Sequence, residues 1–160
     1  MKIIISGALQ QTVFSYLEAA YPNEGGGFLL GEATAEQVTL IEALPVANQF
    51  SADEQWHRYA MSPLDWARLE DEAEARGLSL VGYYHSHPDS PAVPSVYDRD
   101  HALPNFVYLI TAVMPGPQAE EQRAWLLRPD RTAFDELPLI VQPINSDRRA
   151  DEPPDASAAR

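Results

Sequence analysis

The residues best suited to chemistry lie in one stretch, His85-Ser86-His87-Pro88-Asp89-Ser90-Pro91-Ala92-Val93-Pro94-Ser95-Val96-Tyr97-Asp98. His85 and His87 follow directly on Leu78 to Tyr84, an apolar run that reads as a strand. Side chains alternate along a strand, so two histidines at i and i+2 face the same way and can reach one ion. A carboxylate follows 11 residues after His87, beyond a proline-stiffened loop. Two histidines and one aspartate leave a fourth tetrahedral position for water, which is the pattern of a catalytic zinc site and not of a structural one. Hydrolysis there also needs a base to take a proton from the water. Glu24 offers one, beside glycines that permit close backbone approach.

Taken singly, each residue has a plainer reading. A His-x-His pair often sits on a surface, Glu24 fits a solvated loop carboxylate, and Ser95 fits a helix N-cap. Asp89 and Asp100 compete with Asp98 for the third ligand position. Asp89 stands only two residues past His87, tight for folding back onto the same ion. Spacing alone does not decide between Asp98 and Asp100.

The surrounding sequence must supply the elements that bring these groups together. Lys2 to Ser6 reads as a short strand or as the entry to a helix over Gly7 to Tyr21, where Leu9, Val13, Leu17 and Ala20 recur at helical spacing and Pro22 ends the pattern. Gly25 to Gly31 and Gln37 to Val46 read as strands, Phe50 to Gln55 as a loop, and Arg58 to Met61 as a short strand. Ser62-Pro63 starts a second helix, whose apolar side is Leu64, Trp66, Leu69 and Ala73 and which Gly77 closes. After the histidine strand come a short helix capped by Ser95 and running to Ala102, then strands at Phe106 to Val113, Arg123 to Leu127, Thr132 to Leu137 and Leu139 to Ile144. The expected architecture is α/β: a mixed, largely antiparallel sheet flanked by helices.

A chain of 160 residues with 45% hydrophobic content is the size of one domain with one core. We expect that domain over residues 1–145. Residues 146–160 carry seven charges, two prolines and no large apolar side chain, and are expected to be a disordered tail. With 11 basic against 24 acidic residues the net charge is −13, which disfavours phosphate backbones and anionic membrane surfaces alike. That acidity also suits a salty cytoplasm. The absence of cysteine excludes disulfides, thiolate-bound metal and cysteine nucleophiles. No apolar stretch approaches the ~18 residues of a membrane span, and the N-terminal run is too short for a signal peptide. A soluble, cytoplasmic protein is expected.

In combination these residues resemble the JAMM (MPN-plus) metalloprotease family. Its signature is a distant Glu, then His-x-His-Pro, then a Ser after seven intervening residues and an Asp after two more. His87 and Ser95 have seven residues between them here, and Ser95 and Asp98 have two. Pro22-Asn23-Glu24-Gly25-Gly26-Gly27-Phe28-Leu29-Leu30-Gly31 is similar to the family's Glu-containing block, with Gly26 where a Cys is common. That substitution suggests looser strand packing near Glu24. The similarity covers most of residues 1 to 130.

The resemblance implies an MPN-type, cytidine-deaminase-like sandwich holding one zinc per chain. It implies His85, His87 and Asp98 as ligands, Glu24 as general acid and base, and Ser95 as a donor to the tetrahedral oxyanion. Ser86 and Pro88 match the motif's framework, and Asn48 stands where relatives often have an Asn. The length is that of the small stand-alone prokaryotic members. Those cut peptide or isopeptide bonds after the C-terminal Gly-Gly of ubiquitin-like or sulfur-carrier proteins. Two other functions fit the same fold: a catalytically silent protein-binding domain, which would lack the ligands, and a zinc hydrolase of a small amide.

Overall fold

The structure is a computed structural model and describes residues 1–46 and 63–143. Lys2-Ile3-Ile4-Ile5-Ser6 forms a strand, β1 (Lys2–Ser6), with all three isoleucines buried. It lies between two parallel neighbours and is covered on both faces, which is why it reads as a continuous apolar run. Ser6 then caps α1 (Gly7–Ala20), accepting a hydrogen bond from the Leu9 N–H at 3.0 Å.

The remaining elements are β2 (Gly26–Ala33), β3 (Gln37–Pro45), α2 (Pro63–Ala75), β4 (Ser79–Pro88), α3 (Val96–His101), β5 (Val107–Met114), β6 (Gln118–Leu127), β7 (Phe134–Leu137) and β8 (Leu139–Gln142). The strands form one sheet in the order β7-β6-β5-β4-β2-β3-β1-β8. Four pairings are antiparallel (β2–β3, β2–β4, β5–β6, β6–β7), and the other three are parallel. The expected mixed α/β sheet with flanking helices is therefore present.

Alternation sorts the strand residues into two cores. Leu29, Tyr84 and Leu109 point to the face covered by α1, where Val13 and Leu17 pack on Ile3 and Ile5. Phe28, Tyr83 and Tyr108 point to the opposite face, where Trp66 and Leu69 of α2 cover them. Trp66 meets Phe28 and Phe106 edge-on at centroid distances of 5.5 and 5.9 Å, contacts typically worth about 0.5–1.5 kcal/mol beyond their burial. Gly77, at φ +73°, ends α2: its N–H bonds to the Glu74 carbonyl, and the Leu78 N–H bonds to the Ala73 carbonyl. The chain is thereby turned directly into β4.

Two boundaries differ from the sequence reading by more than a residue or two: β4 runs past Tyr84 to Pro88, so both histidines lie inside the strand, and β6 starts early. β6 begins at Gln118 and not at Arg123. Gln118 to Gln122 is polar and offers no apolar alternation, yet it pairs with β5 on either side of a bulge at Glu120, because its exposed positions need only a partner ladder and not a buried face. The strand expected at Arg58 to Met61, the loop at Phe50 to Gln55, Asn48, the Ser62 cap and the tail 146–160 lie outside the described residues.

Candidate metal centre

β4 runs antiparallel to β2 on one side and parallel to β5 on the other. Its C-terminal end carries His85, Ser86 and His87, still within the strand. Both imidazoles therefore project on the Tyr83 side of the sheet, with ring centroids 5.1 Å apart. Ser86 points the other way and grips the start of β2. Its Oγ accepts the Gly25 N–H at 2.9 Å, and its own N–H donates to the Gly25 carbonyl at 3.0 Å. Gly26 stands opposite His85 in register, so Glu24 arrives beside the two histidines. Glu24, His85 and His87 each offer one ligand atom within 4.8 Å of the others.

The second carboxylate comes from α3. Asp98 Oδ1 lies 3.3 Å from His85 Nε2, and Oδ2 lies 3.1 Å from His87 Nε2. His85 and Asp98 are 0% and 1% exposed, whereas Glu24, His87 and Ser95 line an open cleft of about 350 Å³. His87 Nδ1 is 2.9 Å from the Pro91 carbonyl and Nε2 is 3.1 Å from Asp98 Oδ2; both partners accept, so the metal-free ring donates from both nitrogens when it is charged, and a cation on Nε2 would leave the proton on Nδ1. The sequence offers no signal for this orienting group, because it is a backbone carbonyl.

Burial opposes ionisation of Asp98. The charge of the adjacent His85, the hydrogen bond of His87 and the Ser95 N–H outweigh it and hold the carboxyl far below the usual carboxylate range. Burial likewise pulls the His87 imidazole down, but its bonds to Asp98 and to the Pro91 carbonyl, with the charges of Asp98 and Glu24, leave it raised.

Within the cluster, His85 Nδ1, His85 Nε2 and Asp98 Oδ1 are buried without a hydrogen-bond partner, the 3.3 Å contact being too poorly aligned to count as one. Unsatisfied buried polar atoms of this kind cost on the order of 1–3 kcal/mol each. A cation held by the two Nε2 atoms and the carboxylate would satisfy two of the three. The donor set, imidazole nitrogen and carboxylate oxygen, is one that zinc accepts.

The competing aspartates are elsewhere. Asp89 adopts φ 57° and accepts the Tyr21 O–H at 2.8 Å, so it ties the loop to the end of α1. The Asp100 side chain is exposed and faces Arg99 at 3.6 Å. The Gly26 expectation is corrected. A Cβ there would lie 2.7 Å from the Tyr83 hydroxyl and 2.8 Å from the Tyr84 carbonyl, and one on Gly27 would lie 2.6 Å from the Tyr84 hydroxyl. The strand beside Glu24 is tight because two tyrosines, one on each face, already fill the space.

A buried His-x-His strand end facing a helix-borne Asp, with a glycine-framed Glu opposite, is the arrangement that the JAMM signature describes. The family profile described as prokaryotic homologs of the JAB domain matches residues 7–128, and the chain belongs to that prokaryotic branch of the JAMM family. It is similar to a desampylase of Haloferax volcanii, 41% identical over 90 residues that make up 56% of this chain and 62% of the relative. It is also similar to a probable TtuB-protein conjugate cleaving protease of Thermus thermophilus, 34% identical over 104 residues, 65% of each chain. Each match thus spans slightly less than two thirds of the curated relative. The crystal structure of a JAB1/MPN domain protein from Archaeoglobus fulgidus shares the fold at a TM-score of 0.54 and 19% identity, covering 89% of this chain and 99% of that one. No helix among the described residues is long and apolar enough to cross a membrane.

Proposed function

We propose that the protein is a zinc-dependent metallopeptidase that hydrolyses a peptide or isopeptide bond after the C-terminal Gly-Gly of a ubiquitin-like or sulfur-carrier protein. The observation that carries this reading is the His85–Asp98–His87 cluster, in which His85 and Asp98 are buried and His87 opens onto a cleft that Glu24 and Ser95 also line. The names of the two curated relatives, a desampylase and a probable conjugate-cleaving protease, supply the substrate class.

His85, His87 and Asp98 are the ligands in this reading. Burial favours Asp98 over Glu24 as the third ligand. Asp98 is enclosed and fixed on its helix, as a ligand should be, whereas Glu24 lines the cleft where water and substrate enter. Zinc in such a site polarises the scissile carbonyl and acidifies water. Glu24 takes the proton of the attacking water and passes it to the departing amine. Ser95 Oγ already accepts the Asp98 N–H at 3.0 Å, so its O–H remains to donate to the oxyanion. An extended Gly-Gly tail would lie along this cleft, whose walls include Pro88, Pro91 and Val93.

Incubation with conjugates of ubiquitin-like carriers from the same genome, read by intact mass, tests the reading. Release of carrier ending in Gly-Gly, lost when both glycines become alanine, is the expected result. Equal cleavage of both versions would point to a general amidase, and no cleavage by zinc-loaded protein would point to a silent binding domain.

A further inference from the structure

The loop between His87 and Ser95 contains Pro88, Pro91 and Pro94, which have no N–H to donate, so it has little means of tying itself down. β6 holds it from outside. Ala92, at the centre of the loop, is 0% exposed and packs on Ile110 and Ala112 of β5. Its N–H donates to Glu121 Oε1 at 3.3 Å, and its carbonyl accepts the Trp125 indole N–H at 3.1 Å. Both polar groups of one buried loop residue are thus satisfied by side chains four residues apart on one strand.

The peptide plane links this clamp to the site. The Pro91 carbonyl that accepts His87 Nδ1–H belongs to the same rigid unit as the Ala92 N–H. Glu121 therefore grips one end of a planar amide whose other end orients the imidazole, and Arg123 anchors its second oxygen at 2.7 Å. A carboxylate on the N–H also polarises that carbonyl, strengthening the bond it accepts from His87.

We infer that Glu121 and Trp125 are positioning residues for the metal centre, acting through the Pro91–Ala92 peptide to fix the ring orientation of His87 and its Nδ1–H bond to the Pro91 carbonyl. The zinc part of this inference rests on the function proposed above; the effect on the imidazole does not.

The test uses Trp125→Phe, which keeps an aromatic ring but loses the donor, and Glu121→Met, which loses the acceptor. Glu121→Gln keeps an acceptor oxygen and serves as the rescue. Proton spectra of metal-free protein at mildly acidic pH should show a hydrogen-bonded, slowly exchanging His87 Nδ1–H in the parent chain and in Glu121→Gln. Faster exchange or loss of that signal is expected in the other two. Zinc affinity, measured against a chelator, should fall ~10-fold in those two variants and stay within about twofold in Glu121→Gln. The visible spectrum of the cobalt-substituted protein should change in parallel. Folded Trp125→Phe and Glu121→Met proteins with parental imidazole signals overturn the inference, whichever way zinc behaves. A parent chain that takes up no zinc sinks the metal reading of the site, while the imidazole spectra still decide the clamp.

Discussion

Ser95 and Asp98 hold each other. The Asp98 N–H donates to Ser95 Oγ at 3.0 Å, and the Ser95 N–H donates to Asp98 Oδ2 at 2.9 Å, a reciprocal cap on the first turn of α3. The two-residue spacing in the signature thus has a local cause. It starts a short helix and at the same time aims a carboxylate at the two histidines. Reading Ser95 as a helix cap and reading it as a site residue are compatible.

This pairing sets the first prediction. Ser95→Ala removes both the cap and the proposed oxyanion donor. Ser95→Gly also lacks the hydroxyl but restores most of the cap, since glycine costs only a few tenths of a kcal/mol where alanine costs ~1. Turnover should fall by a similar factor in both, up to ~10²–10³-fold, while only the alanine variant melts clearly lower. Full activity in Ser95→Gly would remove the donor role.

Zinc content should be about one per chain. His85→Ala and His87→Ala should lose most of it, and Asp98→Asn should lose far more than Asp100→Asn, because the Asp100 side chain faces Arg99 outside the cluster. Elemental analysis with full occupancy in both histidine variants contradicts the ligand assignment.

Glu24→Gln should keep its zinc and its fold yet lose at least ~10²-fold in kcat, since the amide can neither take nor return a proton. Loss of zinc in this variant would instead make Glu24 a ligand, as its proximity to both imidazoles permits.

The metal-free protein should show a characteristic pH dependence. Asp98 is held below its ordinary pKa, so its stabilisation is present above ~3.9 and is lost as acid protonates it. His87 is held above its ordinary value, so its contribution is complete below ~6.5 and is lost as the pH rises through the folded pKa. Denaturant melts of the parent chain should therefore exceed those of Asp98→Asn most between about pH 4 and pH 6.5. A difference that grows steadily toward alkaline pH contradicts the pair.

Gly26→Ala should destabilise by about 1–3 kcal/mol. Adding Tyr83→Phe should recover only part of that, since the Tyr84 carbonyl also stands in the way. Unchanged melting of the single variant would mean that β2 and β4 can part at no cost.

Much of the site was legible because its parts are local. Alternation at a strand end pairs His85 with His87, and Ser-x-x-Asp is a cap. Choosing Asp98 over Asp100 needed the family resemblance, since both sit on one short helix. The sequence was silent where partners lie far apart. Glu121 and Trp125 meet Ala92 across 29 and 33 residues, and nothing in their neighbours marks them. The tightness at Gly26 was misread because composition registers the missing side chain and not the tyrosine hydroxyls that occupy its place.

The pairing of Gly26 with His85 has a last consequence. Alternation makes strand register a two-way choice, and a slip of β4 by one residue would turn both imidazoles into the aliphatic layer beneath α1 and bring Ser86 out in their stead. A chain so misassembled could keep much of its helix and strand content while being unable to chelate. With the metal centre proposed above, ion uptake would report strand alignment, and the fraction of a preparation that takes up the ion would measure the fraction threaded correctly.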